Sequence, residues 1–493
     1  MLGDVGLRHD AAETGRLADA LARITPALER FNRFDTPDRA ALDRDEYLSR
    51  LDVPLPEHGA GLDAVLDELA EVVIPHGNRV GAPGFCGWVK SQPTTVGAAA
   101  VVAAAVAGPL KTCLHAFNGL EDISVRWLAE LLGLPLEWQG VLVSGGSTAN
   151  LVGLGAARQA AYEAVGVDAS GAGLAGAPPG RVYASDETHH VVHRACGVLG
   201  LGRRGVVAIP ARRDGTLDPD AVDRALTADR RAGLVPVAVV ASAGTVNQGA
   251  IDPIAALADV AEAHETWLHI DGAYGLFGVL DPRVSDRYAG LERASSAAVD
   301  PHKWLAVPVG VGAAYVRDRR LLARTFTMEP TEYIDGAFVS PDGARSPYDA
   351  LGTPHHDFAL ELTSPSRGAL VWAALAEIGV EGMRERVVRH CSFAHRLAEL
   401  VDADPRLELL SAPTLSICTF RYVAPGLSPR QLDDLNARIA SELRAEGRVV
   451  PSTTTIAGAY AIRPCFINPR TTPAEIDELA ASARRLGDAL AGD

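Results

Sequence analysis

Of the 46 lysine and arginine residues in this 493-residue chain, only three are lysines: Lys90, Lys111 and Lys303. Arginine supplies the same surface charge, so solvation does not require these exceptions. A lysine is a primary amine that can lose its proton when its surroundings lower its pKa. A neutral amine forms a Schiff base with a carbonyl. Compositional bias with three survivors is the plainer explanation, and the count alone leaves both open. Lys303 lies in "AAVDPHKWLAV", Ala297 to Val307, where an apolar run ends in Asp300, His302 and Lys303.

Polar residues follow other short apolar runs in the same way. "GVLV" leads into "SGGSTAN", Ser144 to Asn150, where Gly146 and Ser147 open a helical pattern. Exposed N–H groups and the helix dipole suit such a turn to phosphate, although a Gly-Ser turn that merely starts a helix reads the same. "RVYAS" leads into "DETHHVVH", with His189, His190 and His193. Adjacent histidines rarely share one metal, so a ring-stacking or proton-transferring histidine is the stronger reading and no metal is expected. "PVAVVA" is followed by Thr245 and "TWLHI" by Asp271. A carboxylate at the end of an apolar strand is costly to bury unless it meets a cation or a strong donor. One cofactor uses a phosphate turn, a histidine, a threonine, a buried acid and a lysine together. Pyridoxal 5'-phosphate (PLP) needs a lysine for its aldehyde, a helix N-terminus for its phosphate and an acid for its pyridinium nitrogen.

The elements that must position these residues read as an α/β fold. From about 90 to 375, short β-branched runs alternate with Ala/Leu/Arg helices, the pattern of strands buried on both faces of a parallel, doubly wound sheet. Ligands bind such sheets beyond the carboxyl ends of the strands. Residues 1–88 read as an N-terminal helical segment, 89–375 as the large domain and 376–493 as a smaller α+β domain. The run Val96 to Leu110 is Ala-rich and short for a bilayer, so a buried helix is expected. Phe326 to Phe358 has neither period and reads as a lid or an insertion. The net charge of −16 argues against binding nucleic acid. The six cysteines form no CxxC and no disulfide framework, the N-terminus shows no signal pattern, and a reducing cytoplasm is expected.

The whole set resembles the group II PLP-dependent amino acid decarboxylases, the family of the aromatic-L-amino-acid, glutamate and histidine enzymes. "DPHKW" is similar to the family's lysine segment, "HIDGAYG" to its "VDAAYG", "SGGSTAN" to its phosphate turn and "SDETHH" to its S-D-x-x-H-S. The resemblance implies the type I fold of PLP-dependent transferases (aspartate aminotransferase-like) and a homodimer with its active site at the interface. It implies that Lys303 forms the internal aldimine, that Asp271 keeps the pyridine nitrogen protonated, and that His189 stacks on the ring. Gly146 and Ser147 would hold the phosphate with help from Asp300. Thr245 and Ala273 would frame the ring, and His302 would sit beside the lysine. Decarboxylation to an amine through a quinonoid intermediate is then expected. Trp88, Lys90, Pro93 and Thr94 fall in the region that lines the substrate pocket. An aromatic substrate is slightly favoured on family frequency, while Lys90 would instead suit an acidic group.

Two departures bear on the chemistry. The family's loop tyrosine, in a segment like D-P-T-Y, protonates the carbanion; here "EPTEY" places Tyr333 one residue late. If Tyr333 does not serve, oxidative deamination to an aldehyde is the alternative outcome. The family's Arg-rich segment is reduced to Arg367 in "TSPSRGALVW", which puts partner-subunit phosphate contacts in question. A carbon–carbon lyase or an aminotransferase would use the same cofactor, the latter with Arg463 as a carboxylate clamp.

Overall fold

The computed structural model describes residues 15–35, 44–108, 116–327, 353 and 355–492. The short apolar runs of the sequence become strands, and Phe85–Cys86, Leu407–Ser411 and Val450–Ile456 add three that the pattern does not mark. In chain order they are β1 (Phe85–Cys86), β2 (Gln139–Val143), β3 (Gly180–Ser185), β4 (Val206–Ile209), β5 (Val235–Ser242) and β6 (Trp267–Asp271). These are followed by β7 (Ser296–Val299), β8 (Gly312–Val316), β9 (Leu407–Ser411), β10 (Thr419–Tyr422), β11 (Val450–Ile456) and β12 (Ala459–Arg463).

The large sheet runs β2-β8-β7-β6-β5-β3-β4. From β7 through β4 the strands are parallel, while β8 pairs antiparallel with both β2 and β7. The sheet is therefore mixed at one end, where the sequence pattern alone predicts a parallel one. An apolar run buried on both faces carries no mark of its direction. Both faces are indeed dry. Leu142, Ala297, Val299 and Tyr315 belong to the core on one side; Val141, Val143, Ala298 and Ala314 belong to the core on the other. This is the two-residue alternation of a strand read against helices on both faces.

The small sheet runs β1-β11-β12-β10-β9. Its edge strand β1 comes from the N-terminal segment, with Phe85 opposite Val450. The expected boundary at 375/376 falls inside the 36-residue helix Arg367–Asp402, shortly before its kink at Gly379, where φ is +64°. The apolar run near residue 100 forms the helix Thr95–Ala107, but only Gly97 and Ala104 on it are buried. The expectation of a buried helix is thus corrected: in the single chain this helix lies on the surface. No helix among the described residues is long and apolar enough to cross a membrane.

Candidate active site

A cavity of about 630 Å³ opens at the carboxyl ends of the central strands. The ends of five strands deliver residues into it. The turn after β2 brings Gly146 and Ser147, the turn after β3 brings His189, and the turn after β5 brings Thr245. Asp271 and Ala273 arrive from β6, and Asp300, His302 and Lys303 from the turn after β7. Residues up to 157 positions apart in sequence thus meet because adjacent parallel strands end on one side of the sheet.

Lys303 Nζ lies 2.9 Å from Asp300 Oδ2, with His302 Nε2 3.8 Å from the same oxygen. His302 is oriented by its other nitrogen, whose Nδ1–H donates to the Val311 carbonyl at 2.7 Å. Asp271 is buried, and its Oδ1 accepts from the Ala273 N–H at 3.2 Å. His189 Nδ1 accepts from the Val191 N–H at 3.2 Å, which leaves the proton of the neutral ring on Nε2. Burial lowers the His189 pKa below its usual value, with the Asp271 charge pulling the other way. Thr245 Oγ1 accepts from the Ala250 N–H at 3.1 Å, which fixes its loop. Among the described residues, no three His, Cys, Asp or Glu stand together as a metal site.

The donor set fits PLP. The helix Gly146–Glu163 starts at the cavity, and its first N–H groups have no intrahelical acceptors. A Cβ at Gly146 would lie 2.6 Å from Asp300 Oδ2 and 3.0 Å from Ala273 Cβ, so the chain closes tightly beneath this turn. Asp300 Oδ1 is buried without a partner, an acceptor waiting for a donor. Asp300 Oδ2 is engaged by Lys303 and lies close to His302, directly beneath the Gly146 turn.

On the substrate side, Phe85, Trp88, Val89 and Lys90 line the cavity. The Phe85 and Trp88 rings lie 5.9 Å apart, and Lys90 Nζ sits 5.0 Å above the Trp88 ring. Pro93 and Thr94, expected here, are not in the lining. Thr94 is the N-cap of the next helix and also donates to Glu377 at 3.1 Å. Ser91 is not in the lining either; it is buried behind it, and its Oγ donates to the Lys303 backbone carbonyl at 2.7 Å. Arg463 reaches the cavity, but its guanidinium donates to the carbonyls of Trp88 and Val246. Tyr333 lies outside the described residues.

A mixed sheet with helices on both faces, carrying a lysine, an acid and a helix N-terminus around one cavity, defines a type I PLP-dependent enzyme. The pyridoxal-dependent decarboxylase conserved domain matches residues 46–423. An aromatic-L-amino-acid decarboxylase of Bacillus atrophaeus is 31% identical over 456 residues, 92% of this chain and 91% of that one. An L-2,4-diaminobutyrate decarboxylase of Rhizobium meliloti is 29% identical over 446 residues, 88% and 84% of the two chains. The crystal structure of Oryza sativa TDC with PLP and tryptamine superposes with a TM-score of 0.88 at 25% identity, covering 97% and 99% of the chains. The chain belongs to the pyridoxal-dependent decarboxylase family. It is a PLP-dependent carboxy-lyase that acts on an amino acid.

Proposed function

We propose that the enzyme converts an aromatic L-amino acid to its amine, with Lys303 carrying the cofactor. The observation that carries this reading is the convergence of Lys303, Asp271, His189 and the Gly146–Ser147 turn on one cavity whose outer wall holds Phe85 and Trp88. Two relatives point the same way: one is an aromatic-L-amino-acid decarboxylase, the other was solved with tryptamine.

Bound PLP supplies an electron-accepting ring that takes up the electrons left behind as the carboxylate departs as CO2. The chain's own residues then have separate tasks. Lys303 Nζ, paired with Asp300 here, would hold the cofactor's aldehyde. Asp271 would keep a proton on the ring nitrogen. His189, with its proton on Nε2, would be the residue to stack on the ring. Gly146 and Ser147 bind the phosphate through their backbone N–H groups. Tyr333, outside the described residues, would supply the proton to Cα that makes the product the amine.

We place the active site at a homodimer interface. The helix Thr95–Ala107 exposes Val101 and Val106, and Trp88 and Val309 at the cavity mouth are 57% and 73% exposed. Large apolar side chains left exposed beside a cavity are what a partner subunit would cover. A reducing cytoplasm suits the five described cysteines, which are unpaired and buried. Incubating the PLP-loaded protein with each amino acid in air, and assaying CO2, amine, aldehyde and hydrogen peroxide together, tests the reading. CO2 and amine in equal amounts from aromatic substrates support it. Aldehyde with peroxide, or CO2 from non-aromatic substrates alone, overturns it.

A further inference from the structure

Beneath the cavity a chain of hydrogen bonds, fully buried at its centre, joins the strand that carries Asp271 to the Gly146–Ser147 turn. Trp267 Nε1 lies 2.7 Å from Ser296 Oγ, and Ser296 Oγ lies 2.7 Å from His269 Nδ1. His269 Nε2 lies 2.9 Å from Asn150 Oδ1, and Asn150 Nδ2 donates to the Gly146 carbonyl at 2.8 Å. His269, Ser296 and Asn150 are each fully buried.

The direction of every bond follows from its ends. The indole N–H is a donor only, so Ser296 Oγ accepts there and turns its own proton towards His269 Nδ1. At the other end the Asn150 amide already donates to Gly146, so its oxygen faces His269, and Nε2 must bear the hydrogen. His269 is therefore a neutral imidazole with its proton on Nε2. A second proton would have to sit on Nδ1, opposite the Ser296 hydroxyl hydrogen. Burial also pushes the His269 pKa down, to about 4.

The packing leaves this ring no freedom. His269 and Ser296 are paired across β6 and β7. A Cβ at Gly153, two turns along the helix Gly146–Glu163 from Gly146, would lie 2.6 Å from His269 Cε1. His269 and Asp271 are two residues apart on one strand and so share a face. One end of this link thus bears the acid assigned to the ring nitrogen, and the other bears the carbonyl of the turn assigned to the phosphate.

We propose that His269 is a positioning residue that sets the height of the phosphate turn relative to Asp271, and so the spacing of the two anchors that hold PLP. This rests on the reading of Gly146–Ser147 as the phosphate site. Replacing His269 by leucine keeps the bulk but frees Asn150, and with it the first turn of the helix. Replacing it by glutamine retains one amide N–H for Asn150 and one oxygen for Ser296.

The test is the affinity of folded apoenzyme for PLP and for pyridoxal, which lacks the phosphate. His269→Leu is expected to weaken PLP binding about tenfold, the equivalent of about 1.4 kcal/mol. Pyridoxal should change far less, and His269→Gln should recover most of the loss. Equal weakening of both ligands, or of neither, overturns the proposal. Gly146→Ala separates the two readings: if it alters the PLP-to-pyridoxal ratio and His269→Leu does not, only the role of His269 fails. If neither alters the ratio, the phosphate turn fails as well. Should the leucine variant not fold, 15N NMR of histidine-labelled wild-type protein decides. An Nε2–H tautomer that does not titrate between about pH 5 and pH 8 supports the proposal, and an imidazole titrating near its usual value of about 6.5 overturns it.

Discussion

Arg463 offers the sharpest test of how the substrate pocket is held. Its side chain is buried, with one terminal nitrogen 2.6 Å from the Trp88 carbonyl and 3.5 Å from Ser452 Oγ, and the other bonded to the Val246 carbonyl. Trp88 has φ of +51°, in the left-handed region that non-glycine residues enter at a cost of about 1–2 kcal/mol. The guanidinium therefore pins a strained residue whose ring forms the cavity mouth. Arg463→Lys keeps the charge but reaches at most one of these three partners. Each lost bond from a charged donor is worth about 1.5–3 kcal/mol, so two cost about 3–6 kcal/mol. At about 2 cal/mol/K per residue the unfolding entropy of a chain this long gives about 1 °C per kcal/mol, hence a Tm lower by about 3–6 °C. Freed from its anchor, Trp88 relaxes, and KM should rise most for the bulkiest aromatic substrates while kcat changes less. Differential scanning calorimetry and steady-state kinetics across substrates of graded size measure both. A clamp on the substrate carboxylate would behave otherwise: KM would rise equally for every amino acid and Tm would not move. That result would refute the reasoning.

Three further outcomes follow from contacts already described. Gly153→Ala drives a methyl group into the His269 ring and should destabilise the protein by about 1–3 kcal/mol, measured by urea unfolding. Trp88→Ala removes half of the Phe85–Trp88 ring pair and should raise KM for an aromatic substrate about fivefold, the equivalent of about 1 kcal/mol. The pH dependence of stability should carry the mark of His269. Its folded pKa of about 4 lies below the unfolded value, so its stabilising contribution is complete above about pH 6.5. As pH falls towards 4 the unfolded chain takes up a proton that the folded chain refuses, and about 3 kcal/mol is lost over the window. Urea unfolding at stepped pH should show that slope in the wild type and a shallower one in His269→Gln. Some slope should remain, because burial also holds the His390 pKa well below normal.

The parts of the site written in single residues at strand ends were legible in the sequence. Lys303, Asp271, His189, Thr245 and the Gly146–Ser147 turn each follow an apolar run, and a parallel sheet must bring such ends together. What was not legible depends on pairings between distant segments. Nothing in "FCGWVK" shows that Phe85 pairs with Val450, so the register that puts Ser91 rather than Thr94 beside Lys303 was hidden. The antiparallel entry of β8 was hidden because both its faces are apolar. Asn150 and His269 look like ordinary helix and strand residues until the 2.9 Å bond joins them across 119 positions. The helix Thr95–Ala107 looked buried by composition, because sequence cannot separate a face covered by the same chain from one left open.

The central claim is that Lys303 carries the cofactor. With only three lysines in the chain, borohydride reduction of the PLP-loaded protein followed by peptide mass analysis tests it directly. The account predicts a stable pyridoxyl group on the peptide containing Lys303, and none in Lys303→Ala. A pyridoxyl group on Lys90 or Lys111, or an unmodified Lys303 in protein that still releases CO2 from amino acids, would contradict it.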